Sequence, residues 1–156
     1  MKIRPHHIGI IVKDLEKKID FYSNYFGCER ISKIFEGESP DESTYGLKFT
    51  FLRATATRWL IELLEPTKEG AWMELLRQKG EGSMLELCFC VENIEEFYDK
   101  MAKDGIILED DEGKPLTDPK YVPSPSGNKF AYLPMDVSGG TWIEILEESG
   151  TKYIKD

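Results

Sequence analysis

One histidine and three glutamates lie in short apolar segments of the chain, where charged side chains are uncommon. They are His7, Glu62, Glu86 and Glu144. Imidazole nitrogens and carboxylate oxygens are ligands that divalent cations take in proteins, and a carboxylate is also a common general base. The four residues therefore have the chemistry of a metal site, provided that the fold brings them together.

The chain contains an internal repeat. The segment 7–16, His-Ile-Gly-Ile-Ile-Val-Lys-Asp-Leu-Glu, matches 86–95, Glu-Leu-Cys-Phe-Cys-Val-Glu-Asn-Ile-Glu, in its pattern of apolar and polar residues. Two further pairs of matching segments are 48–52 with 129–133 and 60–65 with 142–147. Three similar segments in the same order and at nearly constant spacing indicate a duplicated structural module.

Each copy has the pattern of a strand, an amphipathic helix and three further strands. The first strand is an apolar run, at 7–12 and again at 85–91. Glycines end the two helices, at Gly27 and Gly105. The predicted buried faces of the helices consist of Leu15, Ile19, Tyr22 and Phe26 in the first copy and of Ile94, Phe97, Met101 and Ala102 in the second. This pattern predicts an α+β fold of two tandem β-α-β-β-β modules.

The two modules are expected to form a single domain over 1–156, because the chain length suits one hydrophobic core. Module one spans about 5–66 and module two about 84–148. The linker at 67–83 carries the spacing of a short helix, which we expect to end at a glycine.

Strand alternation places the four polar residues on the faces turned away from the helices. His7 and Glu86 hold the same place in the first strand of their modules, and Glu62 and Glu144 hold the same place in the last. The neighbours of both glutamates on that face are large and apolar. A face that carries apolar groups around one carboxylate is typical of a cavity lining.

Two interpretations of the four residues are open. Taken singly, each glutamate is an outward-facing charge on a half-buried strand. Taken as equivalent pairs, His7 with Glu86 and Glu62 with Glu144, they meet about a pseudo-two-fold axis. Gathered carboxylates repel one another, and a cation removes that cost. The pairing favours the metal site.

Three neighbouring residues are expected not to be ligands. His6 must point to the face opposite His7, so the two histidines cannot bind one metal. Cys88 and Cys90 share the face of Glu86 and are interpreted as cavity lining. With Cys28 they make an odd count without metal-finger spacing, which indicates small core residues in a reducing compartment.

Charge and hydropathy exclude several classes of function. A formal net charge of −9 lacks the basic footprint of a nucleic-acid-binding protein. No apolar run approaches the roughly 20 residues of a membrane helix, and the first residues lack a signal-peptide layout. The sequence therefore predicts a cytoplasmic protein that has neither nucleic acid nor a membrane as its partner.

At these residues the sequence resembles the vicinal oxygen chelate superfamily, which includes glyoxalase I, methylmalonyl-CoA epimerase, extradiol dioxygenases and bleomycin-resistance-type binding proteins. The resemblance runs from about residue 6 to residue 148. The segments His-Ile-Gly-Ile-Ile-Val at 7–12, Ile-Glu-Leu-Leu-Glu-Pro at 61–66 and Ile-Glu-Ile-Leu-Glu at 143–147 look most like the epimerase and glyoxalase branch. It implies a curved mixed sheet around a central cavity, and often a homodimer.

The resemblance also implies a ligand set. In that branch, metal ligands occupy the positions held here by His7, Glu62, Glu86 and Glu144. The branch usually has His where this chain has Glu86. One imidazole with three carboxylates is a hard, anionic set, which favours Mg²⁺, Mn²⁺, Co²⁺ or Fe²⁺ over a soft-ligand zinc site. The expected cofactor is a divalent cation, any of Mg²⁺, Mn²⁺, Co²⁺, Ni²⁺, Fe²⁺ or Zn²⁺. The chain has two histidines and cannot supply the two-His, one-carboxylate set of an extradiol dioxygenase.

A second departure concerns the epimerase. That family places a catalytic Glu directly before the Gly that opens the strand equivalent to 47–52, whereas Ser43, Thr44 and Tyr45 precede Gly46 here. Specificity for methylmalonyl-CoA is therefore not expected. Glu42 is a candidate base only if its loop shifts.

The resulting hypothesis is a metal-dependent lyase or isomerase that acts on a small α-oxygenated carbonyl compound, such as a thioester or a hemithioacetal. Glu144 or Glu62 would serve both as a ligand and as the base that removes the proton next to the carbonyl. The Pro-rich loop at 110–128 is either a lid or an ordinary surface insertion. The loop residues that would contact an anionic substrate are Lys114, Lys120 and Ser126.

Two alternatives belong to other classes. The first is a binding protein of the bleomycin-resistance type, which uses the cavity without catalysis. It would depend on an aromatic lining of Trp59, Trp142, Phe51 and Tyr132. The second is a degenerate regulatory module, which would bind neither a metal nor a small molecule.

Overall fold

The computed structural model describes residues 1–40, 44–54, 59–124 and 127–148. Within these ranges, no helix is both long and apolar enough to cross a membrane. The chain divides into two compact units. The first unit contains residues 7–85, and the second contains residues 1–6 together with 86–148.

The first six residues belong to the second unit, and the predicted linker at 67–83 belongs to the first. The helices are α1 (Leu15–Phe26), α2 (Ala71–Lys79), α3 (Ile94–Lys103) and α4 (Met135–Ser138). The strands are β1 (Ile3–Ile11), β2 (Glu29–Arg30), β3 (Phe35–Glu36), β4 (Leu47–Arg53), β5 (Leu60–Pro66), β6 (Met84–Val91), β7 (Val122–Pro123), β8 (Lys129–Tyr132) and β9 (Trp142–Glu147).

The first unit orders its strands β2-β4-β5-β1, and β3 also pairs with β4. β1 and β5 are parallel, whereas β4 and β5 are antiparallel. A parallel pair needs a long crossover connection, and α1 lies in that connection. The helix begins where the Asp14 side chain accepts a hydrogen bond from the Lys17 amide, and it ends at Gly27, whose φ is 64°.

Both faces of the first unit's strands are buried. On one face, Val12 and Leu63 pack with Leu15 and Ile19 of α1. On the other, a second apolar cluster consists of Ile11, Leu47, Leu64, Leu76 and Leu85. The predicted alternation is therefore confirmed. Phe26 is the exception on α1, because it is 61% exposed although its spacing matches the buried face.

The second unit repeats the same plan with less regular strands. Its order is β6-β9-β8-β7, with β6 and β9 parallel and β8 and β9 antiparallel. Asn93 caps α3 by accepting a hydrogen bond from the Glu96 amide, as the sequence predicts. Glu109 forms only isolated bridges, to Pro115 and Tyr132, where module one has a strand.

The second unit's core lies between α3 and its strands. The buried cluster consists of Val91, Ile94, Phe97, Tyr98, Leu108, Ala131 and Ile145. The short helix α4 between β8 and β9 was not predicted. Apart from these local differences, the structure confirms the α+β class and the mixed strand pairing.

Candidate metal centre

His7 and Glu62 form a buried pair in the first unit. Their strands are parallel, with His7 opposite Leu60 and Gly9 opposite Glu62. The two side chains therefore lie on the same face of the sheet, with Glu62 displaced by two residues along the neighbouring strand. The His7 Nε2 atom lies 3.0 Å from Glu62 Oε2. Only 3% of His7 and 7% of Glu62 are exposed. The structure therefore brings the two predicted ligands of the first unit together.

The ring of Phe51 packs against the same histidine. Phe51 lies opposite Glu62 in the β4–β5 pair, and its ring meets the His7 imidazole edge to face, with centroids 5.3 Å apart. The Phe51 ring therefore packs against the imidazole whose Nε2 atom faces Glu62.

Glu86 and Glu144 have the corresponding geometry in the second unit. Glu86 lies opposite Trp142 and Cys88 opposite Glu144, so these carboxylates also share a face and stand diagonally two residues apart. Glu86 is 4% exposed and Glu144 is 8% exposed. Each module thus places one ligand candidate on its first strand and one on its last, in the same register.

Aromatic side chains border the two carboxylates of the second unit. Tyr132 lies opposite Glu144 in the β8–β9 pair, and its hydroxyl donates to Glu86 Oε2 at 3.5 Å. The Tyr132 and Trp142 ring centroids are 5.9 Å apart. Tyr132 and Trp142 therefore place aromatic surface beside the carboxylates, and Tyr132 adds a hydroxyl group.

The donor set of both units suits a divalent cation. A carboxylate buried to this degree loses its hydration, and a charged or hydrogen-bonding partner must replace it. The first unit offers an imidazole nitrogen beside a carboxylate oxygen, and the second offers two carboxylates on one face. Oxygen-rich sets with one imidazole suit Mg²⁺, Mn²⁺, Co²⁺ or Fe²⁺.

His6 contacts a carboxylate outside the four predicted ligands. Its Nε2 atom lies 3.2 Å from Glu148 Oε1, and Arg4 pairs with the same carboxylate. The His6 hydrogen bond holds the pKa of Glu148 below its usual value against the opposing effect of burial, and the Arg4 charge lowers that pKa further. The sequence did not reveal this cluster.

The two nearby cysteines are buried. Cys88 packs with Phe130 and Leu146. Cys90 lies 3.7 Å from Glu148 Oε2, and burial raises the pKa of its thiol. The interpretation of both cysteines as cavity lining stays a prediction.

The remaining predicted residues divide into two groups. Glu42 and Ser126 lie outside the residues that the structure describes. Lys114 pairs with Glu112, and Lys120 Nζ lies 2.5 Å from Asp99 Oδ1. Both lysines therefore already have acidic partners in this structure.

The described part of the 110–128 loop is attached to the second unit. The Tyr98 hydroxyl donates to the Leu116 carbonyl at 2.7 Å, and Leu116 and Tyr121 pack against the second unit's core. These contacts suit an ordinary insertion, and the lid stays a prediction.

One repeated feature of the sequence has a structural role that was not predicted. Glu65 and Glu147 end the matching segments 60–65 and 142–147. In the structure each accepts a hydrogen bond from the first residue of its module's helix, Leu15 or Ile94, at 2.8 Å. These glutamates are conserved between the two modules because both helices need the same cap.

Known proteins share the sequence pattern and the fold. Residues 6–122 match the Glyoxalase/Bleomycin resistance protein/Dioxygenase superfamily. No curated protein matches the chain in sequence. The methylmalonyl-CoA epimerase from Mycobacterium tuberculosis is similar with a TM-score of 0.73 at 20% identity, over 93% of this chain and 87% of its own.

Two further structures are similar over almost their whole length. A variant of the Streptomyces coelicolor methylmalonyl-CoA epimerase, in complex with 2-nitronate-propionyl-CoA, has a TM-score of 0.75 at 22% identity and covers 94% of this chain and 98% of its own. A hypothetical protein from Bacillus halodurans C-125 has a TM-score of 0.76 at 25% identity, with coverages of 97% and 98%. The likeness to the epimerases establishes a shared fold and not a shared reaction. With the family match across most of its length, the chain belongs to the Glyoxalase/Bleomycin resistance protein/Dioxygenase superfamily.

Proposed function

We propose that His7, Glu62, Glu86 and Glu144 bind one divalent cation, and that the chain is a metal-dependent enzyme of the glyoxalase and epimerase type. The observation that carries this proposal is the repeated register. Each module buries its two candidate ligands on one face, diagonally two residues apart, in adjacent parallel strands. Duplicated geometry of this kind is hard to explain by four unrelated surface charges.

The proposed reaction begins with removal of a proton next to a carbonyl group. A bound divalent cation supplies Lewis acidity, which makes such a C–H bond more acidic. Glu144 or Glu62 accepts the proton and returns it at another position of the substrate. Because both residues are buried, water has little access to compete for that proton.

The proposed substrate is a small α-oxygenated carbonyl compound, with a thioester or a hemithioacetal as the leading classes. Three ionised carboxylates would give the site with its divalent cation a net charge of about −1, which weakens the attraction for an anionic oxygen. The set therefore favours neutral carbonyl and hydroxyl oxygens. The likeness to epimerases with CoA ester ligands supports testing thioesters first.

Metal binding tests the first part of the proposal. We expect the chelator-treated chain to bind Mn²⁺ or Co²⁺ with one equivalent per chain, measured by calorimetry, and to gain thermal stability on binding. Glu62→Gln and Glu144→Gln should each weaken binding at least about tenfold. Glu29→Gln, which removes an exposed carboxylate from β2, is the control. An unchanged affinity in both site variants would contradict the ligand assignment.

Isotope exchange tests the reaction. The metal-loaded chain is incubated in heavy water with methylmalonyl-CoA, with a glutathione hemithioacetal and with a neutral α-hydroxy ketone. Mass spectrometry then measures deuterium at the carbon next to the carbonyl. We expect catalysed exchange in at least one class, and its loss in Glu144→Gln or Glu62→Gln. Metal binding without exchange in any class would count against an enzyme of this type.

The aromatic wall favours a second candidate function, which is a binding protein of the bleomycin-resistance type. Tyr132 and Trp142, whose rings are tilted 58° to each other, offer aromatic surface beside the carboxylates, as a pocket for an apolar ligand would. This alternative predicts ligand affinity that does not depend on a metal. It gains support if added Mn²⁺ changes neither thermal stability nor the binding of an aromatic probe.

We also propose that the chain forms a homodimer in the cytoplasm, as the family resemblance implies. Sedimentation velocity over a range of chain concentrations tests the assembly. A mass that stays at the 17.9 kDa of one chain would contradict it.

A further inference from the structure

We propose that Tyr132 is a positioning residue whose hydroxyl orients Glu86 as a metal ligand. The inference rests on the proposed function and deepens it. It begins from the repeat, in which Phe51 and Tyr132 hold equivalent places in the segments 48–52 and 129–133. The two modules therefore differ by one hydroxyl at this position.

The structure places both aromatic residues in the same relation to the candidate ligands. Phe51 lies opposite Glu62 on the neighbouring strand, and Tyr132 lies opposite Glu144. Each ring also reaches the ligand candidate of its module's first strand. Phe51 meets the His7 imidazole, whereas the Tyr132 hydroxyl donates to Glu86.

The two modules also differ in the ligand candidate that the aromatic residue contacts. Phe51 contacts His7, whereas Tyr132 contacts Glu86. An imidazole is a flat ring with fixed lone-pair directions, so packing against the Phe51 ring helps to orient it. A carboxylate rotates freely and has two oxygens, so it needs a hydrogen-bond donor to hold one of them. The Tyr132 hydroxyl donates to Glu86 Oε2 at 3.5 Å, so it is placed to set how this carboxylate faces the proposed cation.

Tyr132 is itself held firmly enough to position another group. Its backbone exchanges two hydrogen bonds of 2.9 Å with Glu109, one in each direction. Its ring packs against Phe130 and Trp142, with centroid distances of 5.9 Å to each. The hydroxyl is therefore placed by the fold, as the outer-shell partner of a metal ligand needs to be.

A metal-free experiment tests the contact itself. Tyr132→Phe, Glu86→Leu and the double variant are unfolded with urea in the presence of a chelator. We expect the loss of the Tyr132 hydroxyl to lower the folding equilibrium constant severalfold more when Glu86 is present than when Leu, which has no acceptor, replaces it. Equal losses in both backgrounds would overturn the inference, whatever the chain's affinity for metals.

A second experiment tests the role of the contact in metal binding. We expect Tyr132→Phe to weaken Mn²⁺ binding about 10- to 100-fold and to change the visible spectrum of the Co²⁺-loaded chain. Tyr98→Phe is the matched control, because it removes a phenol hydrogen bond, to the Leu116 carbonyl, from the same unit. The control should lower stability and leave both the Mn²⁺ affinity and the Co²⁺ spectrum unchanged.

The pairing of residue types gives a rescue test. In a Glu86→His background, the imidazole no longer needs the hydroxyl, so Tyr132→Phe should change metal affinity by less than about twofold. A loss as large as in the wild-type background would overturn the positioning role. If the wild-type chain binds no divalent cation, the proposed function fails, and the metal-free experiment still decides whether Tyr132 orients Glu86.

Discussion

The side chain of Glu65, near the end of β5, accepts a hydrogen bond of 2.8 Å from the backbone amide of Leu15, the first residue of α1. Glu147 accepts the same bond from Ile94, the first residue of α3, also at 2.8 Å. The last strand of each module is thus hydrogen-bonded to the start of the helix that follows the first strand. This bond satisfies an amide that no intrahelical acceptor reaches.

Removing this cap should destabilise each module to a similar degree. We expect Glu65→Ala and Glu147→Ala each to lower the free energy of unfolding by about 1.5–3 kcal/mol, because a charged acceptor is lost from a half-buried amide. The corresponding Gln variants keep an acceptor and lose only the charge near the helix N-terminus, which costs about 0.3–1 kcal/mol. Urea denaturation measures both. If Ala and Gln cost the same, the hydrogen bond is not the cause.

Much of the fold was predictable because the chain repeats itself. The apolar period and the glycine stops gave the position of α1, which begins at Leu15 and is capped by Gly27. The sequence could not predict that Phe26 is exposed, since spacing fixes a helical face but not how far the strands beneath it extend. It also could not predict α4, because four residues are too short for a periodic signal.

The candidate site was predictable to the level of the pairs and no further. Strand alternation put His7 and Glu62 on one face, and the structure brings them within 3.0 Å. The contact between Tyr132 and Glu86 depends on the register of β8 against β9 and on a rotamer. Residue spacing predicts neither the register nor the rotamer. The sequence signal for this contact is the difference between Phe51 and Tyr132 at equivalent positions of the repeat.

The stabilising effect of Glu148 should depend on pH. The hydrogen bond from His6 and the charge of Arg4 lower the pKa of Glu148 in the folded chain below its ordinary value of 4.5. Its contribution to stability is therefore fully present above about pH 4.5, and it is lost as the pH falls through the folded-state pKa. The side chain is 31% exposed, so the contribution is about 1 kcal/mol or less.

Comparison with Glu148→Gln measures this contribution. We expect the variant to be less stable than the wild type at about pH 7 and equally stable at about pH 3, where the carboxyl is protonated in both states. Glu29→Gln, at an exposed strand position, should show no such convergence. A stability difference that stays constant from neutral to acid pH would contradict the assignment.

The thiols should be unreactive in the folded chain. Cys28, Cys88 and Cys90 are all buried, and burial raises the pKa of the Cys28 and Cys90 thiols. Because the thiolate is the reactive form, we expect almost no reaction with a disulfide reagent at about pH 8 under native conditions. In concentrated guanidinium chloride all three cysteines should react. Rapid labelling of a thiol in the native chain would show that one of them is accessible.

Replacing Glu86 by His should change which metal the chain prefers. The substitution would give two imidazoles and two carboxylates, in which the second imidazole replaces a hard anionic ligand with a borderline neutral one. We expect the affinity for Zn²⁺ or Ni²⁺ relative to Mn²⁺ to rise at least about tenfold, which corresponds to about 1.4 kcal/mol. Competition calorimetry with the chelator-treated protein measures the ratio. Glu86→Gln is the control, since it removes the charge without adding a nitrogen ligand and should weaken all three metals together. If Glu86→His and Glu86→Gln have the same metal preference, residue 86 does not bind the cation directly.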